Sequence, residues 1–164
     1  MFKCCKKKNT GKESYTIPEI ITLKDDFTDF EMDVLELINE HRYKKGLSML
    51  EFHMKLANIA LVHTNYMVLQ GKANHDNFPI RNAQAVKYCG ASYLGENVAY
   101  GYGTPEGFVG KEPYKNKYGK MVYIGWLGSK GHRKIIESDK AIFFAVSIIP
   151  DIKNRNFGTF LVID

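Results

Sequence analysis

Apolar residues recur along this chain first at helical and then at strand spacing. From about residue 29, Phe30, Val34, Leu37, Ile38 and His41 fall on a single helical face, and Gly46 ends the run. "LSMLEF" follows as a short extended link. A second helix is expected over about 53–70. Its stripe is Leu56, Ile59, Ala60, His63 and Met67, and Gly71 closes it. The polar loop "GKANHDNFP" leads to a short helix around 81–88. "GENVAYGYG" reads as half strand and half loop. Residues 103–120, with four glycines and two prolines, read as loop. The amphipathic piece "KMVYIGWLGS" runs into "KGHRKIIES". Two strands close the chain at 141–150 and 156–163, with "DIKNRN" as their hairpin loop. No internal repeat is visible. Helices first and a hairpin last give an α+β class, helices packed on an antiparallel sheet.

The chain divides into a tail at 1–26 and one domain at 27–164. At 164 residues and 45% hydrophobic content, a domain of this size buries a sizeable core. The net charge of +5 belongs to the tail. Residues 1–12 carry Lys3, Lys6, Lys7, Lys8 and Lys12 and no acid, which leaves eighteen basic and eighteen acidic residues elsewhere. A neutral body has no cationic field for nucleic acid, so no nucleic-acid partner is expected. Cys4, Cys5 and Cys89 give no internal disulfide framework, and without a CxxC there is no cysteine zinc site. The apolar run "AIFFAVSII" is too short to span a bilayer. "MFKCCKKK" lacks the apolar stretch of a signal peptide. Adjacent cysteines beside lysines suit a lipid-attached membrane tether, but the reading preferred is a flexible, solvated tail.

A carboxylate in an apolar run needs a partner. Glu96, among Leu94, Val98, Ala99 and aromatics, poses that question. His41 and His63 lie on apolar helix faces and read as core or boundary imidazoles. His53, at a helix start, is expected to be exposed. His75 in "NHDNF" and His132 in "KGHRK" stand in polar, glycine-bearing turns, where sites tend to be built. With Glu96 they form a reasonable set for a divalent cation such as zinc, water filling the fourth position. HExxH, a Walker loop, a dinucleotide fingerprint and a serine elbow are all absent. Cys89 reads as a small buried apolar residue.

Taken in order, "LELINEHRYKKGLSMLEF", "LANIALVHTNYM", "NHDNFPIR", "GENVAYG", "GWLGSKGHRKII" and "FFAVSII…NFGTFLVID" resemble the CAP superfamily. This is the SCP-like group of cysteine-rich secretory, antigen 5 and pathogenesis-related proteins, and the likeness is to its compact bacterial subgroup. It covers residues 30–164. The resemblance implies a three-layer α-β-α sandwich around a central antiparallel sheet, with a cleft lined by two histidines and two acids. His75, Glu96 and His132 match three of these. Glu96 would face the cleft, its charge supported by imidazoles or a bound cation. Where the family has a second acid after its tryptophan, this chain has Ser129, a poor metal ligand that the bacterial pattern shares. Trp126 would anchor the last helix, and His63 matches a structural histidine. Eukaryotic members' disulfides cannot form with one body cysteine.

The loop at 103–120 departs from the bacterial pattern. Its Tyr114, Tyr118, Lys115 and Lys117 would form a surface patch if the loop is functional. The resemblance implies an exported or surface-displayed protein, a monomer, acting outside the cell. Its first functional reading is a non-enzymatic binding module for a protein, lipid or sterol ligand or a host molecule. The alternative is a metal-dependent hydrolase or peptidase, with Glu96 as general base and His75 and His132 holding the metal. A third reading is an inert surface module that has kept the cleft residues.

Overall fold

The computed structural model describes residues 28–102, 125–151, 153 and 155–164. The tail at 1–26 and the loop at 103–120 fall outside them. Helix α1 spans Asp29–Lys44. It begins at a capping box: Glu31 N donates to Thr28 Oγ1 at 3.3 Å, and Thr28 N donates to a Glu31 carboxylate oxygen at 3.1 Å. Val34 and Ile38 are its fully buried residues, and the next residue inward is Arg42 rather than His41. Gly46 follows at φ 71°, the left-handed turn that ends the helix.

The extended link forms a short strand, β1, Glu51–Phe52. Helix α2, Met54–Gln70, starts where expected and ends at Gly71 in the left-handed conformation. Four of its five expected stripe residues are essentially inaccessible, and His63 is 3% exposed. His53, expected to be exposed, is half-buried. It caps α2, its Nδ1 accepting from Leu56 N at 3.3 Å, and its ring meets Phe143 edge-on at 5.4 Å. Helix α3, Phe78–Cys89, begins three residues before the expected start because Pro79 suits the first turn.

Strand β2 runs through the whole of Leu94–Tyr102. The loop expected in its second half is absent because β4 supplies a partner for every residue, from Leu94↔Ile163 to Tyr102↔Arg155. One helical turn at 125–128 then precedes helix α4, Lys130–Ile136. Strands β3, Phe143–Pro150, and β4, Arg155–Ile163, form the closing hairpin.

The sheet order is β1-β3-β4-β2. Three strands are antiparallel, but β1 lies parallel to β3, so the sheet is mixed rather than purely antiparallel. The chain leaves β1 through helices and another strand before it returns as β3, and so long a connection permits parallel pairing.

Strand alternation sorts the core into two layers. Phe144, Val146, Phe160 and Val162 pack with Val34 and Ile38 of α1, Ile136 of α4, and Trp126. Ala145, Leu161 and Ile163 pack with Leu56, Ile59 and Ala60 of α2 and Ala85 of α3. The helices thus lie on both faces, an α-β-α sandwich. β4, covered on both sides, is buried along nearly its whole length, which accounts for the unbroken apolar run at 160–163.

Candidate functional site

The tripeptide Gly95–Glu96–Asn97 lies on β2, the last strand in the sheet order, paired along one side with β4. Gly95 is required for packing. A Cβ there would stand 2.9 Å from both Ile135 Cγ2 and Val162 Cγ2 and 2.8 Å from the Tyr93 hydroxyl. Only glycine lets α4 settle this closely on the strand.

Glu96 points toward the α2/α3 layer, and its side chain is 1% exposed. Its charge is met by a guanidinium. Arg81 Nε donates to Oε2 at 2.5 Å and Arg81 Nη2 donates to Oε1 at 2.7 Å, a two-pronged pair. His75 Nδ1 donates to the same Oε1 at 2.8 Å. A bare carboxylate only accepts, so Nδ1 carries a proton and Nε2 is the ring nitrogen not used in this bond. The His75 side chain is 51% exposed.

The loop that carries His75 is pinned from both sides. Arg81 Nη1 donates to the Asp76 carbonyl at 2.6 Å. His63 Nε2 donates to the Asn74 carbonyl at 2.9 Å, and its ring stacks on Tyr66. Burial pushes the His63 imidazole below its ordinary range, and the nearby Arg81 charge pushes it further. A neutral ring suits the single hydrogen bond it donates, the structural role expected of it.

On the opposite face of β2, Asn97 Nδ2 donates to the His132 carbonyl at 3.1 Å. His132 is half-buried on α4. Burial lowers its pKa, with His75 close enough for its charge to add to the effect. Ser129 is the N-cap residue of α4, but its side chain makes no capping bond. Trp126 is 2% exposed, donates from Nε1 to the Val98 carbonyl at 3.0 Å, and packs on Phe160. It fixes the turn before α4, as expected of an anchor.

The structure therefore brings His75 and Glu96 into contact and sets His132 nearby. Glu96 stands behind His75, not beside it as a third ligand. Among the described residues, no three His, Cys, Asp or Glu side chains gather as a metal cluster. Were a cation to bind here, the two imidazoles are the groups that would hold it, with Glu96 as the carboxylate that orients His75. As a general base, Glu96 would first have to release Arg81 or His75. Tyr114, Tyr118, Lys115 and Lys117 lie outside the described residues. A separate open groove of about 640 Å³, lined by Tyr93, Gly131, Lys134, Ile135, Ser138 and Lys140 among others, runs beside α4.

Arg81 is the site residue that the sequence reading missed. It lies inside "NHDNFPIR", six residues after His75. Its signal was the buried acid itself, which needs a cation from somewhere in the chain.

Among curated proteins, the chain is 26% identical over 133 residues to the membrane protein YlbC of Bacillus subtilis (strain 168), covering 79% of this chain and 34% of that one. It is 31% identical over 110 residues to YkwD of the same organism, covering 65% and 37%. The chain thus spans about a third of the length of these relatives. Among solved structures, an outer surface protein of Borrelia burgdorferi has a TM-score of 0.67 at 18% identity, covering 85% of this chain and 95% of that one. An extracellular SCP-domain protein of Bacillus anthracis str. Ames has a TM-score of 0.61 at 21%, covering 82% and 40%. NaASP2, solved with Zn2+, has a TM-score of 0.59 at 12%, covering 85% and 82%. The model of the cysteine-rich secretory protein family, CAP, matches residues 35–164, and with that match over most of its length this chain belongs to the CAP family.

Proposed function

We propose that this domain is a non-catalytic binding module that acts outside the cell or at its surface, with His75 and His132 as the contact groups of its cleft. The observation that carries this reading is the engagement of Glu96. Arg81 uses both of its oxygens and His75 shares one of them, so the cleft acid is committed to holding its neighbours. A divalent cation such as zinc is the first ligand of the two imidazoles, and His75 offers Nε2 to it. The fold neighbour NaASP2, solved with Zn2+, supports the choice of metal. A larger protein, lipid or sterol ligand is assigned to the groove beside α4, which shares that helix with His132. The extracellular and outer-surface neighbours support the location. No described helix is long and apolar enough to cross a membrane.

Calorimetry with zinc at neutral pH tests the reading on wild type and on His132→Ala. Micromolar or tighter binding in wild type, lost in the variant, is the expected result. No heat of binding in wild type would remove the cation from the reading. Hydrolysis makes the opposite forecast for a peptide library with zinc present: turnover that Glu96→Gln abolishes. The binding reading expects no turnover from either protein.

A further inference from the structure

Consecutive residues of a strand send their side chains to opposite faces. Glu96 and Asn97 use this to reach both sides of the sheet edge. Glu96 accepts from the ring of His75, and Asn97 donates to the backbone of His132. Helix α4 has seven residues, too few to be stable alone, so its placement must come from tertiary contacts, among them those with the sheet and with Arg42 of α1. Among the contacts that bring it to β2 are the close approach of Ile135 over Gly95 and the Asn97 bond. Trp126 and Arg133 hold the turn before it, the latter by donating to the Leu127 carbonyl at 3.0 Å. Of these, Asn97 reaches the histidine itself. Asn97 is fully buried, so its amide is not competing with water for the His132 carbonyl.

We propose that Asn97 is the positioning residue of His132, as Glu96 backed by Arg81 is that of His75, so that one dipeptide of the edge strand holds the ring of one histidine and the backbone of the other from opposite faces. Each ring can be displaced without moving the other. These hydrogen bonds form whether or not a cation binds, so only the zinc measurement below depends on the function proposed above.

The test compares the ring signals of His75 and His132 in NMR spectra of the full chain at one neutral pH. Asn97→Ala is expected to shift and broaden the His132 ring and leave His75 in place. Arg81→Lys is expected to do the reverse. An Asn97→Ala protein in which His132 does not move, or in which both rings move alike, overturns the proposal. Should Asn97→Ala fail to fold, Asn97→Ser keeps a donor and is expected to hold His132 nearer its wild-type position. The wild type gives a second measurement. Protection of the Asn97 side-chain amide protons from solvent exchange supports the bond, and exchange as fast as that of a surface amide overturns it. With zinc alone as probe, Asn97→Ala is expected to weaken binding by about 10–100-fold, the usual effect of losing an outer-shell partner. A wild type that takes no zinc overturns the cation reading, while the ring signals still decide the role of Asn97.

Discussion

Arg81 and Glu96 form an ion pair almost sealed from water, their side chains 5% and 1% exposed. Such a pair gains little over an apolar pair of the same shape, but losing one member strands a charge. Arg81→Met is therefore expected to lower stability by roughly 3–5 kcal/mol, read from the denaturant midpoint. Adding Glu96→Leu in the same chain is expected to return part of that loss. A single variant as stable as wild type would show that Glu96 is held by something else. Glu96 was legible from the sequence because an acid in an apolar run stands out alone, and His75 because it stands in a polar loop; His132, expected in a turn, lies on α4 instead. Arg81 was not legible, because its importance lies in a partner fifteen positions away. Arg42 was hidden for the same reason. It is 1% exposed and donates to the carbonyls of Ser48, Ile136, Ser138 and Ala141, tying the end of α1 to the end of α4.

Helices α1 and α2 and the closing hairpin could be placed from periodicity, since each carries its apolar pattern in its own residues. β2 and β1 could not be read to their full extent. The first contains two glycines and is held open by its ladder to β4, and the second is two residues long and owes its strand character to β3. Propensity yields to a partner in both cases. Gly95 makes the same point as a prediction. Gly95→Ala is expected to destabilise by about 1–3 kcal/mol, the range for overpacking, because the methyl group would push Ile135 off the strand. Thermal melting checks it, and a rise in the midpoint would mean that α4 has room to spare.

For the molecule as a whole, several imidazoles shift in one direction. Burial is the first cause that lowers His53, His63 and His132 from their ordinary values. A histidine depressed in the folded state takes up its proton more readily once unfolded. Stability is therefore fully present above the unfolded value of ~6.5 and is lost as pH falls from there toward the depressed folded values. The denaturant midpoint is expected to fall between pH 7 and pH 5. The fall is expected to be shallower in His63→Gln, which removes one titrating group. A midpoint flat across that window would contradict the burial of these rings. Lower still, Glu137 adds to the loss, since His41 and Lys45 help hold it ionised in the fold.

The strand at the centre of the sheet is also the last element described. β4 lies between β3 and β2 and carries core residues for both helical layers. A ribosome working from the amino end makes every helix before the spine they lie on. Until residues 155–163 emerge, α1 through α4 have half a sheet to cover and β2 has no neighbour in the order. The domain therefore cannot close its sheet before β4 has been made, and up to that point both helical layers lack the strand that carries core residues for each of them.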